Sequence, residues 1–186
     1  LPVVPLRGRV VFPNTTLSFD VGRIVSLTAV KNATEKDSRM FICTQKDAEK
    51  ADVTVEDLYT VGTVAQLKQV TRLPGNNIRI SVQGLYRAAV RVIDTKDGAF
   101  IAEVDEVKPV HGEEALEEAY FRTAKNVMRD ISLTDTRLSK DAISALDRCA
   151  DPDEFVNLAA HHVNIKYETK QAVLECERVV DRLRTI

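Results

Sequence analysis

The chain has 186 residues, 44% of them hydrophobic, and a formal net charge of −2. That composition supplies a core and excludes wholesale disorder, and no apolar run of about 18 residues offers a membrane span. Residues 1–110 carry 15 basic and 13 acidic side chains and residues 111–186 carry 11 and 15, so neither segment has the basic excess that makes nucleic acid a main partner.

The chain opens on Leu1 without the layout of a signal peptide and reads as a piece cut from a larger protein. Its three cysteines, Cys43, Cys149 and Cys176, are odd in number and widely spaced, which points to a reducing compartment and not to a disulfide framework. In that setting the Asn14-Thr15-Thr16 and Asn32-Ala33-Thr34 triplets carry no meaning as glycosylation sites.

In chain order, Val3 to Phe12 reads as extended, with Pro2 and Pro5 suited to an edge or bulge. Asp20 is placed to cap a helix from about Val21 to Ala33, whose apolar side holds Val21, Val25, Thr28 and Ala29. Met40 to Thr44 and Val61 to Val70 read as strands. Leu73-Pro74-Gly75-Asn76-Asn77 is strong turn chemistry. Ile78, Ile80 and Val82 then alternate with polar neighbours, as do Ala88, Val90 and Val92; Lys96-Asp97-Gly98 turns the chain into Phe100, Ala102 and Val104.

The texture changes at Lys108 to Gly112, and no glycine follows. Beyond it Leu116, Tyr120, Thr123, Val127 and Ile131 recur at helical spacing, behind four glutamates that suit a helix start. Ser139 is a cap for a second helix. Asp151-Pro152-Asp153-Glu154 opens a third. A last helix is expected from about Glu168 to Leu183, burying Val173, Cys176, Val180 and Leu183. The fold class is α+β: a β-rich region with one helix over residues 1–110, followed by a small α-helical bundle over 111–186.

No catalytic pattern is present. Seven glycines leave little material for a phosphate loop, and G-x-x-x-x-G-K-[ST] is absent. Ser139 and Lys140 are neighbours that point apart on a helix, Cys43 lies in an apolar strand, and His161 and His162 are adjacent where a helical zinc pair needs i, i+4 spacing. What stands out is apolar material where loops or helix starts belong: Pro13 and Leu17 after Val11-Phe12, Leu73 and Pro74 at the hairpin tip, and Phe155 in the first turn of its helix. Exposed apolar groups mark binding surfaces.

Several segments together resemble one family. Leu1-Pro2-Val3-Val4-Pro5-Leu6-Arg7, Val10-Val11-Phe12-Pro13 and Asp20-Val21-Gly22-Arg23 are similar to the opening of ATP-dependent Lon proteases, and Thr44-Gln45-Lys46-Asp47 follows in place. Glu56-Asp57-Leu58-Tyr59-Thr60-Val61-Gly62-Thr63-Val64-Ala65 is the most specific block, and Val82-Gln83-Gly84-Leu85-Tyr86-Arg87-Ala88 continues it. Ala159-Ala160-His161-His162 and Lys170-Gln171-Ala172-Val173-Leu174-Glu175 resemble the family's helical subdomain.

The resemblance implies a PUA-like pseudobarrel, then a helical bundle cut short before a long helix. It implies a homohexameric bacterial, cytoplasmic serine protease as parent, whose ATP and Mg²⁺ belong to an ATPase module beyond Ile186; no cofactor or metal is expected in this chain. The implied role is recognition and holding of unfolded, damaged or degron-bearing proteins, with a mainly structural role in ordering the ring, or a stand-alone binding protein of this fold, as alternatives. The loop at Asn14-Thr15-Thr16 is more polar than the family's glycine–methionine version, and Thr71 stands where a larger apolar residue occurs. Pro13, Leu17, Leu73, Pro74 and Phe155 remain as the expected client-binding residues.

Overall fold

Runs of β-branched and aromatic residues, which fit a pleated half-buried surface, form six strands in the computed structural model, which describes residues 1–134 and 138–186. They are β1 (Pro2–Leu6), β2 (Thr16–Val21), β3 (Arg39–Thr44), β4 (Val61–Arg72), β5 (Ile78–Lys96) and β6 (Ala99–Glu106). The sheet order is β2-β5-β4-β3-β1-β6, and β6 also pairs with β5. That extra pairing closes β5, β4, β3, β1 and β6 into a ring, with β2 added along the outer stretch of β5. All pairs are antiparallel except β1 with β3.

β5 serves both ends of the ring because it bends. Its first half pairs with β2 and β4 and its second half with β6, with register shifts between Val64 and Ala65, Leu67 and Gln69, and Val90 and Val92. Each bulge adds local twist, which a flat sheet lacks and closure needs. Gly62 permits another tight approach: a Cβ there would lie 2.4 Å from the Ile42 carbonyl oxygen.

The continuous apolar runs of β1 and β3 are explained by burial on both faces. Val4, Leu6, Met40 and Ile42 join Phe19, Ala29, Val30, Ile80 and Val82 in one core. Val3, Phe41 and Cys43 join Leu58, Val64, Ala88 and Phe100 in another. Burial pushes the Cys43 thiol up to about 12, so it is an inert core group.

Three expectations change in this region. The extended segment stops at Leu6, not Phe12. Pro5 lies in a strand flanked on both sides, but β6 pairs only as far as Val3. Leu6 turns its carbonyl to Gln45 beyond β3, so alternation along the strand aims the donor-less nitrogen of Pro5 at the side β6 has left. Asp20 does not cap a helix. It lies in β2 opposite Arg79 and pairs with that guanidinium at 2.6 Å, while helix α1 (Ile24–Thr34) starts after Arg23 with no side-chain cap. The buried face of α1 is Ser26, Ala29, Val30 and Ala33.

The chain separates into two compact units, Leu1–Val107 and Lys108–Ile186. The second holds α2 (Glu114–Thr134), α3 (Lys140–Arg148), α4 (Pro152–His162), α5 (Tyr167–Glu175) and α6 (Val179–Thr185). Ser139 accepts from the Ala142 amide and Asp151 from the Glu154 amide, as the capping pattern predicts.

The expected apolar face of α2 is rotated by one position. Glu117, Phe121, Ala124 and Met128 are buried, whereas Leu116 and Val127 are each 44% exposed. Phe121 meets Phe155 of α4 edge-on, ring centroids 5.3 Å apart, and the Glu117 carboxylate is held by His111 and the Gly112 amide. The single last helix is in fact two. Val110 inserts a parallel bridge at the break, donating to the Glu177 carbonyl and accepting from the Val179 amide. Cys176 therefore ends α5 and is only half-buried.

Candidate client-binding surface

Strand register decides where the apolar candidates of the first unit point. Leu17 pairs with Val82, and Val82 pairs with Leu67 of β4. Phe19 pairs with Ile80, and Ile80 with Val70. Paired residues share a face, so these two rows run across β2, β5 and β4 on the core side. In each row the central residue, Val82 or Ile80, is fully buried; Phe19 is buried with them, while Leu17, Leu67 and Val70 open outward. Leu17 and Leu67 are half-buried against the core, and Val70 is 45% exposed.

The rows continue to the β4–β5 hairpin end. There the Leu73 amide donates to the Asn77 carbonyl, and Gly75 and Asn76 take the left-handed conformation that the reversal requires. Leu73 is half-buried and Pro74 exposed. Leu17 lies beside Val82, four residues along β5 from Ile78, which at 3.3 Å per residue is roughly 13 Å from the hairpin end. Leu17, Leu67, Val70, Leu73 and Pro74 thus form an apolar rim, drawn out along one edge. Leu67 and Val70 escape sequence reasoning because a bulge between Leu67 and Gln69 puts both on the core side, where simple alternation would separate them.

Two expected residues do not belong to this rim. Pro13 is buried in a turn fastened to β5: the Asn14 amide donates to the Gly84 carbonyl and the Gly84 amide to the Thr15 carbonyl. A Cβ at Gly84 would lie 2.1 Å from the Phe12 carbonyl oxygen, so only glycine admits this contact. Phe155 is 0% exposed in the core of the second unit, because the first turn of α4 faces Phe121 and not solvent.

The second unit has an apolar groove of its own. Tyr120, Val127 and Met128 of α2 and Leu183 of α6 line a space of about 340 Å³. Of the stripe that the sequence assigns to the core, Tyr120, Thr123 and Val127 border this groove and Leu116 is exposed.

Polar chemistry is organised for structure. His161 and His162 stand edge-on at 4.8 Å; desolvation holds His161 down to about 4, with the neighbouring His162 and Lys170 charges acting in the same direction. Among the described residues no group of three His, Cys, Asp or Glu side chains is placed to hold a metal ion. No helix among them is long and apolar enough to cross a membrane.

Comparison with known proteins places this architecture. The family described as the ATP-dependent protease La (LON) substrate-binding domain matches residues 1–186. The Lon protease of Desulforamulus reducens is 34% identical over 186 residues, and that of Clostridioides difficile is 34% identical over 191. All of this chain is covered in both cases, but it spans only 23% and 24% of those relatives. Among solved structures, the N-terminal domain of Mycobacterium avium complex Lon protease superposes with a TM-score of 0.76 at 20% identity, covering 99% of this chain and 94% of that one. The Lon N-terminal domain protein from Xanthomonas campestris gives 0.65 at 14% identity, with the same coverage. A ring of strands with β2 laid on the bent β5, followed by the helices α2 to α6, is thus the shared fold, and the chain belongs to the Lon substrate-binding domain family.

Proposed function

We propose that this chain recognises and holds unfolded, damaged or degron-bearing proteins for a Lon-type ATP-dependent serine protease, and that the apolar rim of the first unit makes the contact. The observation that carries the reading is the pairing of half-open Leu17, Leu67 and Val70 with fully buried Val82 and Ile80, in a family described by substrate binding. Unfolded chains share exposed apolar groups and little else, so a shallow rim tolerates many of them. Six copies on a ring supply avidity without a tight single site. ATP and Mg²⁺ serve a separate module of the cytoplasmic parent, and catalysis is not this chain's task.

The test is Val70→Ser with Leu73→Ser in the full-length enzyme. Degradation of an unfolded protein should fall severalfold, while hydrolysis of a short peptide, which needs no holding, stays at the wild-type rate. Equal degradation of the unfolded protein by variant and wild type would sink the reading.

A second reading, ordering of the ring, is favoured by the groove that the 44% exposed Val127 lines with Leu183. Removing residues 1–108 separates the two. Loss of client degradation from intact oligomers supports holding; loss of the oligomer itself supports assembly.

A further inference from the structure

A cavity of about 660 Å³ in the first unit is distant in chemistry from the apolar rim. Its wall is built from the ends of β1 and β2 and the start of α1, and it gathers four arginines, Arg7, Arg9, Arg23 and Arg79, around one carboxylate, Asp20. In a chain whose net charge is −2, this cavity carries a local excess of three positive charges.

The arginines are not all satisfied. Arg79 pairs with Asp20, and Arg9 donates to the Ser18 carbonyl at 3.3 Å. Arg7 is exposed and makes no hydrogen bond or ion pair among the described residues. Arg23 donates Nη2 to Gln45 Oε1 at 2.8 Å, but its Nη1 is closed off with no partner among the described residues. Desolvation and the Arg7 charge both lower the proton affinity of Arg23, as expected of cations held together without a counter-ion.

The same place is the positive end of a helix. Arg23 is the N-cap of the eleven-residue α1 and supplies no side-chain cap, leaving first-turn amides free to bind an anion. Ser26, in that first turn, lines the cavity and is 4% exposed. Among the described residues its hydroxyl has no hydrogen-bond partner, and Ser26 forms part of the cavity wall. A buried, unpartnered donor facing a cluster of guanidinium groups at a helix start is a receptor for an oxyanion.

We propose that this cavity binds a phosphate group, held by Arg7, Ser26 Oγ and the first amides of α1, with Arg23 contributing its charge. The volume exceeds that of a phosphate ion, so the group can arrive free or carried on a side chain. Binding is a charge and hydrogen-bond event with no covalent step. It does not depend on the client-holding reading, because the probe is phosphate itself.

Amide spectra of the 186-residue chain are recorded during titration with inorganic phosphate, against sodium chloride of equal ionic strength. Saturable shifts are expected at Ile24, Val25 and Ser26. Arg7→Gln, at an exposed site that leaves the fold intact, should weaken the apparent affinity about tenfold, with Ser26→Ala acting in the same direction and Lys68→Gln neutral. A second arm compares a phosphoserine peptide with its serine counterpart. Tighter binding of the phosphopeptide than of free phosphate assigns the group to a modified protein, and equal or weaker binding assigns it to the free ion. Shifts no larger than those caused by chloride, or shifts unchanged by both Arg7→Gln and Ser26→Ala, overturn the proposal.

Discussion

Arg182 Nε donates to the carbonyl oxygen of Val173 at 2.9 Å, so a guanidinium with no solvent exposure closes the end of the preceding helix. The same group also binds Asp153 and Asn157 of α4. Three short helices therefore meet on one cation. Arg182→Ala leaves the half-buried Asp153 carboxylate and the buried Asn157 amide without this donor and should cost about 3 kcal/mol. Urea unfolding followed by helical circular dichroism measures this. A loss below about 1 kcal/mol would show that Arg182 fills space and does not join the helices.

Phe155 is predicted to act on stability and not on client contact. Phe155→Ala removes the ring packed against Phe121 and should cost about 3–5 kcal/mol. Val70→Ser, at a 45% exposed site, should stay within about 1 kcal/mol of wild type. Thermal melts of the two variants side by side distinguish a core position from a surface one.

Gly84→Ala puts a methyl group 2.1 Å from the Phe12 carbonyl oxygen, a backbone atom with little room to move. The expected cost is about 1–3 kcal/mol. Hydrogen exchange should quicken selectively at Asn14 and Gly84, whose amides carry the two hydrogen bonds of that contact.

Two histidines titrate in opposite directions. The hydrogen bond to Glu117 raises the pKa of His111, so its contribution is fully present below the ordinary value of 6.5 and is lost as pH rises through the folded value. Burial lowers His161 to about 4, so its neutral form favours folding above 6.5, and that contribution is lost as pH falls from 6.5 towards 4. Proton NMR titration of the two imidazoles reads both directions, and Glu117→Gln should bring His111 back towards 6.5.

Much of this structure is legible in the residues. The caps at Ser139 and Asp151, the reversal at Leu73 to Asn77 and the alternation of Ile78, Ile80 and Val82 each rest on local chemistry, and each is found in place. Choices that depend on a distant partner are not legible. On α2 the series Leu116, Tyr120, Val127 and the series Phe121, Ala124, Met128 both have helical spacing; only the position of Phe155 selects the second. Asp20 is as good a cap as any until Arg79 is seen opposite it. Of the expected binding residues, Leu17, Leu73 and Pro74 lie at the surface or partly so, whereas Pro13 and Phe155 are enclosed by contacts with Gly84 and Phe121 that no local pattern announces.

The bridge between Val110 and the α5–α6 break has a mechanical meaning. Its two hydrogen bonds, at 2.9 and 3.0 Å, join the segment that enters the helical unit to the segment that leads into its final helix. The segments run parallel, so a pull on the two ends of the unit slides them past each other and loads both bonds at once. Tension across the unit is then carried by this neck, and α2 to α5 are shielded in the slack loop behind it.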